Sequence, residues 1–175
     1  MSTHLIIDGY NLIRRSPSLS VLDREDLERG REELIWRLAL YRQIRSFPIT
    51  VVFDGSTQGN LPGSRTAQRG IRVVFSRMGQ KADDIIIRIA REIGQGAMVV
   101  TSDRQVQSEV ERHHATVISS EDFEQKMQMA SLAKEKGIEA DDMDDRTETK
   151  GSRKKGPARR LPKKVRKARE RIKRL

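Results

Sequence analysis

Apolar residues in this chain gather in short unbroken runs: His4 to Asp8, Ile49 to Phe53, Ile71 to Phe75, Ala97 to Val100 and Thr116 to Ile118. The runs are apolar throughout rather than at every second position, which predicts strands buried on both faces, as in a parallel sheet. Between them the period changes to that of a helix. The first predicted helix is capped by Asp23 and runs to about Arg45, with Leu27, Leu34, Ile35, Leu38, Ala39 and Tyr41 as its buried stripe. Gly30 weakens its middle by about 1 kcal/mol. A second begins near Asp83 and continues through Ile89, Ala90 and Ile93 to a closing Gly94. A third follows Asp103 to about His113, and a fourth starts at Ser119, with Asp122 at its third position, and reaches Lys136. The Pro17 and serine segment after Gly9 reads as a loop. Residues 56–70, with Gly59, Pro62, Gly63 and Gly70, read as a mobile one.

Strand and helix alternate, so the expected class is α/β, with function at the crevice where the C-terminal strand ends open. After Gly137 the packing pattern stops. Three segments are therefore expected: a domain over 1–137, an acidic to polar linker over 138–150, and a basic tail over 151–175 that is disordered or helical on nucleic acid. The net charge of +10 conceals this division: 15 Lys or Arg after residue 145 face only Glu148 and Glu170, so that segment carries +13 and the body −3. The absence of cysteine excludes disulfides and thiolate metal sites. No basic leader precedes the first strand and no apolar stretch could span a bilayer, so a cytoplasmic location without membrane attachment is expected.

The strand ends carry the candidate chemistry. Asp8, Asp54 and Asp103 close or follow three of the runs, and Asp83 with Asp84 opens the helix after a fourth. Carboxylates converging at one sheet edge repel one another unless a divalent cation or a shared proton offsets their charge. A turn-forming role is the competing explanation for each Asp singly. Asp83 and Asp84 point about 100° apart on a helix. Asp83 is preferred as the metal ligand and Asp84 is the fallback. Asn11 has two readings, a bond to phosphate or carboxylate and a role in holding its loop. Ser102 either orients Asp103 or touches phosphate, with a turn role as the competing reading. His4 reads as a packing residue, and His113 and His114 lack ligand spacing, so activation of water falls to a metal rather than an imidazole.

Taken together, Leu5-Ile6-Ile7-Asp8-Gly9-Tyr10-Asn11-Leu12, Val52-Phe53-Asp54-Gly55, Lys81-Ala82-Asp83-Asp84 and Val100-Thr101-Ser102-Asp103 resemble the NYN domains of the YacP-like family, a branch of the PIN-like nucleases. The resemblance covers about residues 3–135. It implies a three-layer α/β/α PIN-like (NYN) domain with a mainly parallel sheet, a Mg2+ or Mn2+ endoribonuclease site, and RNA as substrate. It also implies Asp8, Asp83 and Asp103 as metal ligands, Asn11 as the motif asparagine and Asp54 as a supporting acid. A link to translation and mRNA turnover, with the ribosome as a partner, is a further family-level implication.

An acidic body must hold RNA through local basic residues. Arg14, Arg15, Arg65, Arg69, Arg77 and Lys81 are the candidates near the motifs, and Lys154, Lys155, Arg159, Arg160, Lys163 and Lys164 those in the tail, which binds mRNA or rRNA through counterion release. The rival to an endoribonuclease is a non-catalytic RNA-binding or ribosome-associated module. An aspartyl-phosphate enzyme is disfavoured because Tyr10 stands where the second acid would be.

Overall fold

The computed structural model describes residues 3–55, 62–135 and 163–175. Six strands form one sheet in the order β3-β4-β2-β1-β5-β6. These are β1 (His4–Asp8), β2 (Ile49–Phe53), β3 (Arg65–Gln68), β4 (Ile71–Phe75), β5 (Ala97–Val100) and β6 (Thr116–Ile118). All neighbours pair in parallel except β3, which runs antiparallel to β4 at the edge. The five apolar runs are the five parallel strands. The sixth strand, Arg-Thr-Ala-Gln, is wholly exposed and has no apolar signal, so it falls within the segment expected to be a mobile loop. Its pairing with β4 corrects that expectation.

Helices cover both faces. On one side α1 (Gly9–Arg15), α3 (Leu27–Ile44) and α6 (Ser120–Glu135) pack on Leu5, Ile7, Val51, Phe53, Val73 and Val100. On the other, α4 (Ala82–Ile93) and α5 (Arg104–Arg112) bury Ile85, Ile86, Val106 and Val110 against Ile6, Val52, Val74 and Val99. Odd and even strand positions thus face different cores, which is why the runs are apolar throughout. The architecture is the three-layer α/β/α fold with a mainly parallel sheet.

Two short elements replace the expected loop before α3. α1 starts directly at Gly9, with Asp8 as its cap, and α2 (Pro17–Glu25) starts at a proline, capped by Ser16. Pro at a first helical position is pre-organised for the helix rather than a breaker of it. The cap of α3 is consequently Asp26, whose carboxylate accepts from the Glu28 amide at 2.8 Å, and not Asp23.

The chain's last segment also differs from a detached tail. α7 (Lys163–Lys173) lies beside β6, Ile172 packs against the core, and Leu175 is buried, its carbonyl accepting a hydrogen bond from the Tyr41 hydroxyl. Burial of the Tyr41 phenol raises its pKa far above the usual value. Four apolar positions, Val165, Ala168, Ile172 and Leu175, stand at helical spacing among many charges, and Ile172 and Leu175 suffice to dock the helix. The linker at 138–150 lies outside the described residues. No helix among the described residues is long and apolar enough to cross a membrane.

Candidate active site

The chain moves from β1 to β2 and β4 in one direction and then crosses to β5 and β6 on the other side of β1. The crevice of such a sheet opens between β1 and β5, at their C-terminal ends. Asp8 closes β1, and Thr101-Ser102-Asp103 follows β5. A cavity of about 520 Å³ lies here, lined by Asp8, Asn11, Asp54, Asp83 and Asp103, with Tyr10, Arg14, Arg15 and Lys81 also on its walls. Four of the five sequence-derived acids therefore meet in one place.

The fifth does not. Asp84 Oδ2 accepts from the Lys81 amide at 3.3 Å, closing the first turn of α4, and its side chain is not part of the cavity wall. One residue earlier, Asp83 points into the cavity. The fallback ligand is therefore a helix-capping residue.

Asp8 is the most constrained acid. It is 8% exposed, and its two oxygens accept from the Asn11 amide at 3.4 Å and from Thr101 Oγ1 at 3.0 Å. Burial pushes its carboxyl up to about 6, the two hydrogen bonds oppose that shift, and Asp83 and Asp103 add to it. Asp83 is also raised, by burial first and then by Asp103, with Lys81 opposing and Asp84 and Asp54 contributing. Asp103 caps α5, Oδ1 accepting from the Gln105 and Val106 amides at 2.8 and 3.2 Å. Asp54 accepts from Ser76 Oγ at 3.4 Å.

Thr101, which the sequence reading passed over, joins two of these acids. Fully buried, it donates to Asp8 and accepts from the Asp103 amide at 3.1 Å, while its carbonyl accepts from Gln107 Nε2 at 2.7 Å. Its place between Val100 and Ser102 was the only available signal. The Asn11 oxygen accepts from the Ser102 amide at 2.9 Å and from Ser120 Oγ at 2.8 Å, tying α1 to the ends of β5 and β6. The loop-holding reading of Asn11 thus describes its oxygen. Ser102 Oγ donates to Glu121 and accepts from the Ser120 amide, so it does not orient Asp103. Gly9 is required by close approach: a Cβ there would lie 2.3 Å from the Phe53 ring, whose edge also meets Tyr10.

Of the basic residues proposed to hold RNA, Arg14, Arg15 and Lys81 line the cavity. Arg14 lies over the Tyr10 ring, 5.6 Å from its centre, and Arg15 pairs with Glu121 at 3.4 Å. Arg77 packs its stem near Gly63, Arg69 forms the β3–β4 turn with φ +52°, and Arg65 faces a different groove. These three are not on the cavity wall. Lys154, Lys155, Arg159 and Arg160 lie outside the described residues, and Lys163 and Lys164 begin α7.

The acids suit a hard divalent cation by donor chemistry and by charge: oxygen ligands alone, with neighbouring carboxylates that add to the upward shifts of Asp8 and Asp83. Among the described residues no three acids or histidines are close enough to grip one ion directly as they stand. Mg2+ is commonly bound through one or two carboxylates and retained waters, so an ion there would not need three direct protein ligands.

The chain matches the YacP-like NYN domain model over residues 5–174, so the match extends beyond the 3–135 span of the motifs and takes in α7. It is 32% identical to Bacillus subtilis (strain 168) YacP over 102 residues, covering 57% of this chain and 59% of that protein. The match therefore spans about three fifths of the relative's length. The crystal structure of Rae1 (YacP) from Bacillus subtilis superposes with a TM-score of 0.66 at 27% identity, over 77% of this chain and 78% of that one. The crystal structure of a tryptophan-to-leucine mutant of the same protein gives a TM-score of 0.66 at 26% identity, over 77% and 80%.

Proposed function

The chain belongs to the YacP-like NYN domain family, within the PIN-like nuclease superfamily, and on that premise we propose that it is a divalent-metal-dependent endoribonuclease. The observation that carries this reading is the convergence of Asp8, Asp83, Asp103 and Asp54 on one cavity at the crevice of the sheet, with the charge of Asp8 and Asp83 opposed by burial and by neighbouring carboxylates. Asp8, Asp83 and Asp103 would hold Mg2+ or Mn2+, with Asp54 in support. When bound, such an ion supplies charge stabilisation at a phosphodiester and a more acidic water.

The chain's own residues set the geometry. Thr101 fixes Asp8 by a hydrogen bond and Asp103 through its backbone, so the two acids across the crevice keep a constant relation. Asn11, by accepting from Ser102 and Ser120, prevents the three strand-end turns from separating. Arg14, Arg15 and Lys81 supply positive charge at the rim, where phosphates flanking the cut would meet an otherwise acidic wall. Action on mRNA at the ribosome is the finer form of this proposal.

Incubation of the full chain with single-stranded RNA and Mn2+ or Mg2+ is expected to give internal cuts that disappear with EDTA, with Asp8→Asn and with Asp83→Asn. Cleavage that persists in EDTA or in both variants overturns the reading. Running DNA of the same sequence in parallel decides the sugar preference.

A further inference from the structure

Along the α4 flank, from His4 and Ile49 at the starts of β1 and β2 to Arg65 beside Val74, lies a groove of about 1130 Å³ that the chemistry above does not use. Arg42, Arg65, Arg72 and Arg88 line it, and Glu92 is the one carboxylate on its wall among the described residues. None of these four guanidiniums forms an ion pair among the described residues. Elsewhere arginines do find carboxylates, as in Arg37 with Glu33 at 2.7 Å and Arg112 with Glu109 at 2.7 Å. Four unpaired cations around one concavity raise its potential until an anion enters.

The backbone also gives way to this arrangement. Gly70 adopts φ +79°, a conformation that favours glycine, and the Arg42 guanidinium lies against it at the β3–β4 turn. His4, hydrogen-bonded to Thr50 at 2.8 Å, is held below its usual pKa by burial and then by the nearby Arg72 charge.

The groove and the cavity share their scaffold. β1 begins at His4 on the groove and ends at Asp8 in the cavity, about 13 Å along the strand. α4 carries Asp83 into the cavity and, five residues later, Arg88 into the groove, roughly 8 Å along the helix axis. A strand of RNA crossing the acidic cavity gains little attraction from it. A row of guanidiniums within a few nucleotides of the cut supplies that attraction through the phosphates, without reading sequence.

We propose that this groove docks the phosphate backbone of the RNA substrate beside the cleavage cavity, a role that rests on the ribonuclease reading. The test uses the full chain in EDTA and a fluorescent single-stranded RNA, with affinity measured across a KCl series. Arg72→Gln with Arg88→Gln is expected to weaken binding about 10-fold and to flatten the log–log salt slope by about 1.4, the share of two phosphate contacts. Arg65→Gln, on an exposed edge strand, gives a smaller shift in the same direction. Arg29→Gln with Arg112→Gln, removing equal charge from exposed ion pairs elsewhere, is expected to change affinity less than about 2-fold.

Equal losses in the two double variants, or none in either, overturn the groove. So does a polyglutamate that displaces RNA as well as RNA of equal charge does, which would make the surface one for acidic protein. Normal metal-dependent cleavage at unchanged KM in the Arg72 and Arg88 variant removes the groove and leaves the nuclease standing. Groove-dependent RNA binding with no cleavage in either metal does the reverse.

Discussion

At the C-terminal ends of β1 and β5, Asp8, Asn11, Thr101, Ser102, Asp103 and Ser120 are joined by hydrogen bonds, several buried, that leave few side chains free to turn. Along the α4 flank, Arg42, Arg65, Arg72 and Arg88 hold positive charge with no ion-pair partner among the described residues. The difference reflects two kinds of task. Phosphodiester chemistry requires atoms fixed relative to one another before substrate arrives, whereas backbone recognition requires only a positive potential and side chains able to follow a flexible chain.

The largest expected effects separate the two regions kinetically. Asp8→Asn or Asp83→Asn should lower kcat by about 10²- to 10³-fold, the scale of losing one preorganised electrostatic group. RNA affinity in EDTA should stay within about 2-fold, since these residues attract no phosphate. Arg72→Gln with Arg88→Gln should invert the pattern, raising KM and sparing kcat. Single-turnover cleavage over a range of RNA concentrations distinguishes them, and a shared loss of kcat would erase the contrast.

The next effect is on stability. Asp8 titrates near 6 in the folded protein and about 3.9 unfolded, so between those values the native state binds the extra proton. Without metal, stability contributed by Asp8 is fully present below about pH 4 and falls as pH rises to about 6, by roughly 3 kcal/mol. Asp8→Asn should remove this fall. In urea denaturation with EDTA, the variant should be more stable than the parent at pH 7.5, and the gap should close by pH 4. A variant less stable at both pH values would show that the Asp8 hydrogen bonds outweigh the burial of its charge.

Thr101→Val should cost about 1–3 kcal/mol, because it leaves a buried carboxylate oxygen without its donor at nearly constant volume. It should also lower kcat while leaving the salt slope of RNA binding intact. Arg72→Gln with Arg88→Gln should move stability by no more than about 1 kcal/mol, since Arg72 is exposed, Arg88 is half-buried and neither has an ion-pair partner among the described residues.

How much of this was legible follows from where the signal resides. The five parallel strands were readable because both faces are largely buried and nearly every residue reports it, down to the ends of β1, β2, β4, β5 and β6. The edge strand β3 was not, since its four residues are all exposed and its only constraint is the ladder with β4. α7 was hidden for a related reason: its anchor is Leu175 against Tyr41, 134 positions apart. In the cavity the charged residues announced themselves by type and spacing. Thr101 did not, because a threonine after a strand has many uses and only its two partners across the crevice reveal this one. The groove was invisible for the same reason, as Arg42, Arg65, Arg72 and Arg88 come from four separate elements.

The adjacent pair Asp83 and Asp84 offers the finest division of labour, within a single helical turn. Sequence leaves either able to serve the cavity, and the structure separates them by direction: Asp83 lines the cavity, while Asp84 accepts from the Lys81 amide and closes the turn that carries its neighbour. Asp84→Ala should therefore cost only the cap, about 0.3–1.5 kcal/mol. Cleavage should stay within about 3-fold and should keep its Mn2+ concentration dependence, since the substitution removes no cavity oxygen. Asp84→Ser, which retains a capping oxygen, should recover part of the stability. A shift of the metal midpoint by 10-fold or more in Asp84→Ala, unrelieved by Asp84→Ser, would move Asp84 into the cavity's ligand set and make the first turn of α4 a two-carboxylate site.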